Sequence, residues 1–205
     1  MNNKAIILAN GAFPKSEKAL SILKNAQFII CCDGAVNKLV DARISPNVII
    51  GDLDSVSNEI KSLFAEKLIS RPDQNFNDLT KSVRWAVENN YTDLTIMGAT
   101  GLREDHSIGN FFLLYDYSKI ANVKMTTDFG TVYPINKTTV FPCRIGQQVS
   151  VFSVYRHTKL TFTGLKYPVN NHSFEYMWQG TLNETIDNNF TIETDGEGVL
   201  VYVLD

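Results

Sequence analysis

Over roughly the first 130 residues, short apolar runs alternate with stretches of helical period. Residues 5–9 (AIILA), 28–32 (FIICC), 48–50 (VII) and 94–97 (LTIM) are apolar at successive positions, the pattern of strands buried on both faces. Between the first two, residues 16–25 place Ala19, Leu20, Ile22 and Leu23 along one side of a helix. Leu79, Val83, Ala86 and Val87 repeat at helical spacing behind Asn77 and Asp78, either of which suits an N-cap. Ile108, Phe111, Phe112 and Tyr115 mark a further helix. This alternation predicts an N-terminal, mainly parallel, three-layer α/β domain over residues 1–130.

Past Thr131 the texture changes. The runs QQVSVFSVYR, KLTFTG, NFTIET and GVLVYVLD are rich in Val, Phe, Thr and Tyr, are separated by Gly, Asn and Asp, and lack a helical period. They predict a C-terminal antiparallel β-sandwich over residues 131–205, with the boundary in residues 128–136 (DFGTVYPIN), which carry glycine and proline.

Composition narrows the function classes. The chain is 44% hydrophobic and 20% charged, enough for a packed core. Its 19 Lys+Arg against 22 Asp+Glu give a net charge of -3, which argues against a general nucleic-acid binder. No apolar run approaches the ~20 residues of a membrane span, so no membrane partner is expected. The first residues read as a strand and not as a leader. Cys31, Cys32 and Cys143 form neither a disulfide framework nor a zinc motif, and the expected compartment is the reducing cytoplasm.

Each predicted N-terminal strand runs into small polar residues: Asn10-Gly11, Asp33-Gly34, Gly51-Asp52-Leu53-Asp54-Ser55 and Gly98-Ala99-Thr100-Gly101. Ligands of open parallel sheets bind beyond the carboxyl ends of the strands, where glycines admit phosphates to backbone N–H groups. Asp52 and Asp54, at i and i+2, can share one hard cation such as Mg²⁺; alone, such a pair is more often a solvated turn. Asp78 and Lys81 offer a further carboxylate and a phosphate-binding ammonium, or an ordinary i,i+3 surface pair. Arg103, Asp105 and His106 open the Ile108–Tyr115 helix, placing a guanidinium at a glycine-rich turn. His106 reads as a ligand or as a packed hydrogen-bonding residue. Four acids, an arginine and a lysine among glycine turns are the parts of metal-dependent phosphoryl transfer, although no P-loop is present.

With these residues in view, the chain resembles the thiamin pyrophosphokinase family over nearly its full length. The resemblance rests on CCDGAVNKL (residues 31–39), GDLDS (51–55), PDQNFNDLTK (72–81), GATGLREDHSIGN (98–110) and TGLKYPV (163–169). It implies an N-terminal domain that binds ATP and Mg²⁺, a β-sandwich that helps bind thiamin, and a homodimer with active sites between subunits. The residues it implies for ATP are Asp33, Gly34, Asn37, Gly51, Ser55, Gln74, Lys81, Gly98, His106 and Asn110. Asp52, Asp54, Asp78 and Asp105 are implied for the metal, and Asp54, Asp78, Arg103 and Asp105 for catalysis. Tyr176, Trp178, Thr181 and Asn183 are implied for thiamin, the two aromatics by stacking and cation–π attraction, unless they are sandwich core.

The chain departs from the family pattern at Asn75, where a carboxylate is usual, at Leu102, where a glycine is usual, and at Leu182, where a serine precedes the asparagine. The implied reaction moves the pyrophosphoryl group of ATP to the hydroxyl of thiamin, giving thiamin diphosphate and AMP. Alternatives are a diphosphokinase for another heteroaromatic alcohol, such as a hydroxymethylpterin, and a non-catalytic nucleotide- or thiamin-binding protein. A sugar-nucleotide transferase is a more distant one.

Overall fold

A computed structural model describes residues 3–205. Strands β1 (Asn3–Leu8), β2 (Ile29–Cys32), β3 (Val48–Gly51), β4 (Leu68–Ser70), β5 (Tyr91–Met97) and β6 (Asn122–Thr126) form a parallel sheet in the order β6-β5-β1-β2-β3-β4. Successive side chains of a strand face opposite ways, so each strand feeds both helix layers. Ile7, Ile30, Ile50 and Ile96 meet Leu79, Val83 and Ala86 of helix α4 (Asp78–Glu88) and Leu114 of α5 (Glu104–Ser118). Ile6, Leu8, Ile29 and Ile49 meet Ala19 and Leu23 of α1 (Glu17–Lys24) and Val36 and Leu39 of α2 (Val36–Asp41). A short α3 (Asn58–Leu63) follows β3.

Local chemistry starts these helices where the pattern predicts. Ser16 caps α1 by accepting from the Ala19 N–H, and Asn77 caps α4 by accepting from the Thr80 N–H at 2.8 Å. The face predicted for α5 is only half right. Tyr115 is buried and Phe111 partly so, but Ile108 and Phe112 are 57% and 44% exposed, while Leu114 and Tyr117 turn inward. Seven of the ten residues from 108 to 117 are large and apolar or aromatic, so spacing alone does not select a face.

The remaining strands are antiparallel. β7 (Gly130–Ile135), β9 (Gln148–Ser153), β11 (Asn183–Glu184) and β13 (Val199–Leu204) extend the same sheet, which thereby reaches ten strands, in the order β11-β9-β13-β7-β6. β8 (Thr139–Pro142), β10 (Leu160–Thr163) and β12 (Asn189–Thr194) form a second sheet, and Val149, Val151, Val199 and Val201 pack on Leu160, Phe162, Phe190 and Ile192 between the two. The glycine- and proline-bearing stretch around residue 130 is thus itself a strand that pairs with β6 and β13.

Candidate active site

The four polar turns meet at one edge of the sheet. The chain proceeds from β1 outward to β4 and then returns to the other side of β1 as β5, so the order reverses between β1 and β5. A crevice opens at such a reversal. Here the two turns are bonded together: Gly11 N–H donates to Gly98 O at 2.6 Å and Ala12 N–H to Thr100 O at 2.7 Å. A side chain on Gly11 would collide with those same carbonyls, and Gly98 holds φ +64°. Glycine is required at both by close approach or by backbone conformation.

The cleft has a volume of about 390 Å³, and its walls include Asn10, Gly34, Ser55, Asp78, Thr100, Arg103, His106 and Asn110. Asn110, nearly two helical turns into α5, donates to Ala99 O at 2.7 Å and ties that helix to the β5 turn. Lys38, which the sequence reading gave no role, donates to the side chain of Asn10 at 2.9 Å and to Gly11 O at 2.6 Å. Partial burial lowers its pKa, and its ammonium organises the β1 turn. Its place four residues beyond Gly34 in CCDGAVNKL was the available signal. Asn37, on the same helix, is exposed.

Asp33, between the cleft-lining Cys32 and Gly34, is the most unusual group beside the cleft. It is 1% exposed, and neither carboxylate oxygen has a hydrogen-bond partner. Burial pushes its pKa up to about 6; the Leu53 backbone opposes this, and the neighbouring Asp52 and Asp78 add to it. Gly51 leaves the room it occupies, since a Cβ there would collide with the Asp33 side chain. Asp52 accepts from Asp54 N–H and from Gln74 Nε2, each at 3.2 Å, which holds its carboxyl below the usual range. The turn between them is strained, with Leu53 at φ +68°. Asp78 pairs with the nearly buried Lys81 ammonium at 3.0 Å.

The four carboxylates expected to share a metal are therefore not gathered at one point. Asp52 and Asp78 stand beside Asp33, whereas Asp54 is exposed. Asp105 forms a two-pronged pair with Arg103, at 3.1 and 2.6 Å, and accepts from His106 N–H at 2.8 Å. That guanidinium holds Asp105 below the usual carboxylate range. Among the described residues no three His, Cys, Asp or Glu side chains already stand at metal-ligand geometry. Asn75 bonds Asp73 and lines a separate groove between α4 and α5, so its departure from the family pattern removes no carboxylate from the cleft.

In the second part, Tyr176 and Trp178 are 51% and 69% exposed and are not core. Thr181 Oγ1 donates to Trp178 O, and Leu182 is exposed at φ +58°. Asn183 is buried and committed to backbone: it accepts from Tyr167 and Glu184 N–H and donates to Tyr167 O. None of these residues lines the cleft.

A doubly wound sheet with a glycine-walled cleft at its strand reversal, joined to a β-sandwich, defines an α/β protein built to bind a ligand at that reversal. The family profile described as thiamin pyrophosphokinase, catalytic domain, matches residues 19–126, and that of the thiamin pyrophosphokinase substrate-binding domain matches residues 130–202. The chain belongs to the thiamin pyrophosphokinase family. It is 26% identical over 203 residues to thiamine pyrophosphokinase 1 of Oryza sativa subsp. japonica, covering 84% of this chain and 76% of that protein. It is 31% identical over 143 residues to thiamine pyrophosphokinase of Bacillus subtilis (strain 168), covering 65% and 66%. In fold it matches the crystal structure of thiamine pyrophosphokinase from Bacillus subtilis with a TM-score of 0.83 at 23% identity, over 99% of both chains. Yeast thiamin pyrophosphokinase gives 0.77 at 19% identity, over 100% of this chain and 86% of that one.

Proposed function

We propose that this chain transfers the pyrophosphoryl group of ATP to the hydroxyl of thiamin, releasing thiamin diphosphate and AMP. The observation that carries the reading is the buried, unpartnered carboxylate of Asp33 beside Asp52 and Asp78, at the strand reversal of a chain of this family. Carboxylates that repel one another, as Asp52 and Asp78 do Asp33, favour a divalent cation between them, and their hard oxygens suit Mg²⁺. Asp33, Asp52 and Asp78 would hold it, and it would neutralise charge on the transferring phosphoryl groups. Asp54 and Asp105 keep the roles that the resemblance implies, in the metal shell or as acceptor of the hydroxyl proton. As paired with Arg103, Asp105 is the poorer metal ligand.

The protein groups do the rest by position and charge. Lys81 and Arg103 stabilise developing negative charge. The turns at Gly11, Gly34 and Gly98 admit phosphates, with Ser55, Gln74, His106 and Asn110 around them. Tyr176 and Trp178 offer exposed aromatic faces for a cationic heteroaromatic acceptor, yet they lie off the cleft of their own chain. A homodimer that brings these faces to the partner's cleft resolves that separation. The three cysteines are free, in keeping with the cytoplasm. No helix among the described residues is long and apolar enough to cross a membrane.

The profile match over residues 130–202 favours thiamin over a hydroxymethylpterin as acceptor. Competition between the two acceptors, with AMP release as the readout in wild type and Asp52→Ala, tests the proposal. Thiamin-dependent AMP that disappears in the variant supports it; preference for the pterin, or turnover indifferent to Asp52, overturns it.

A further inference from the structure

The two parts of the chain share one sheet and one core, in which Val132 and Leu200 cluster with Leu114 and Tyr115 of α5. β6 and β7 share only two residue pairs, Met125 with Val132 and Thr126 with Thr131. Side chains brace this joint on both faces of the sheet. On the α1 face, Asp128 accepts from the backbone N–H groups of Lys15 and Ser16 at 2.7 and 2.8 Å, and Lys18 pairs with Asp205. On the α5 face, the buried Tyr115 donates its hydroxyl to Glu197 Oε2 at 2.5 Å, across 82 residues of sequence. The Tyr155 ring stands edge-on to Tyr115 at 6.1 Å, and the Lys119 ammonium lies 4.2 Å from the Tyr115 ring centre. Gly198, at φ +77°, lets the Tyr155 ring lie against the same turn, within 3.0 Å of where a Cβ would stand.

This bond links two functional regions. Helix α5 carries Asp105, His106 and Asn110 in its first half and follows directly on Arg103. Tyr115 lies ten residues beyond Asp105, about 15 Å along a helix axis. Glu197 lies in the region matched by the substrate-binding profile. A helix moves as a rod, so the register of its far end against the sandwich sets where its near end stands in the cleft.

We propose that the Tyr115–Glu197 hydrogen bond is a positioning clasp that holds the cleft end of α5 in register with the substrate-binding region. Its contribution is to acceptor alignment, and it rests on the reading of function above. Neither residue touches a reacting atom. The Glu197 carboxylate, and then burial, push the Tyr115 pKa upward, which keeps the phenol a donor at neutral pH. The pair is held at the sandwich by Val154 N–H donating to Gly198 O at 2.8 Å and Ser153 Oγ to Tyr155 O at 2.7 Å, so the turn itself is well anchored.

The test uses the full chain with Tyr115→Phe, Glu197→Ala, Glu197→Gln and the Tyr115→Phe/Glu197→Ala double variant. Tyr115→Phe and Glu197→Ala are expected to lower kcat/KM for thiamin roughly tenfold, equivalent to about 1.4 kcal/mol. KM for ATP stays within about twofold, a change of about 0.4 kcal/mol. Glu197→Gln retains wild-type behaviour because its amide oxygen accepts the same bond, and the double variant is no worse than the poorer single one. A lower melting temperature with unchanged kcat/KM for thiamin makes the bond a stability contact only and overturns the proposal. A loss carried by KM for ATP with kcat unchanged overturns it too. If wild type shows no thiamin-dependent AMP, the reading of function fails by itself, and amide hydrogen exchange decides the clasp. Faster exchange in Tyr115→Phe across both residues 195–198 and residues 103–110 supports it, and faster exchange confined to 195–198 overturns it.

Discussion

Replacing Asp33 by asparagine should make the metal-free protein more stable while abolishing its activity. Folding takes the Asp33 carboxyl from an ordinary value of 3.8 to about 6. At full strength that difference amounts to roughly 3 kcal/mol, and relaxation of the surrounding polar groups reduces it to about 1–2 kcal/mol. The sign follows from proton uptake. Below the unfolded value both states are protonated and nothing is lost. As pH rises from 3.8 to about 6 the folded state holds the extra proton, so stability falls, and above about 6 the deficit is constant. Asparagine cannot ionise, and its amide finds an acceptor in the neighbouring Asp52. Thermal melts in EDTA at pH 8 should show Asp33→Asn melting about 2–6 °C above wild type. The advantage should shrink toward zero at pH 4. Added Mg²⁺ should raise the melting temperature of wild type and leave the variant unmoved. A variant less stable than wild type at pH 8, or equally favoured at pH 4, would refute the claim that Asp33 is a buried, uncompensated charge.

Three further outcomes follow from the same geometry. Lys81→Met should leave Asp78 without its partner, costing ~1–3 kcal/mol in denaturant unfolding and ~100-fold or more in kcat. Gly51→Ala should force the Asp33 side chain aside, losing ~1–3 kcal/mol and most activity; a wild-type melting curve and rate would contradict the close approach. Cys31 and Cys32 are buried, and burial pushes Cys32 up to about 12, whereas Cys143 is only half-buried. A thiol reagent at pH 8 should therefore modify one cysteine in the native protein and three in denaturant.

What was readable in advance depended on how strongly each feature is encoded locally. Helix α4 was plain because Leu79, Val83 and Ala86 sit behind the capping Asn77, and cap and period agree. The inward face of α5 was not, because an almost continuous apolar run carries no phase; Ile108 and Phe112 ended up outside. The β7 strand was hidden by Gly130 and Pro134, residues that locally favour a break but are accommodated by pairing with β13. The polar turns were placed correctly at one sheet edge because parallel strands put all their carboxyl ends together. Which carboxylates share the floor was not legible. Asp33 differs from Asp54 only through burial, and Asp105 was drawn off by Arg103 two residues away, a pairing that belongs to side-chain conformation.

Phosphorus NMR of a reaction containing only the protein, ATP, Mg²⁺ and thiamin tests the central claim most directly. The account predicts AMP and thiamin diphosphate appearing in equal amounts, with no thiamin monophosphate on the way and no product in Asp52→Ala. ADP together with thiamin monophosphate, or ATP left intact beside thiamin, would contradict it.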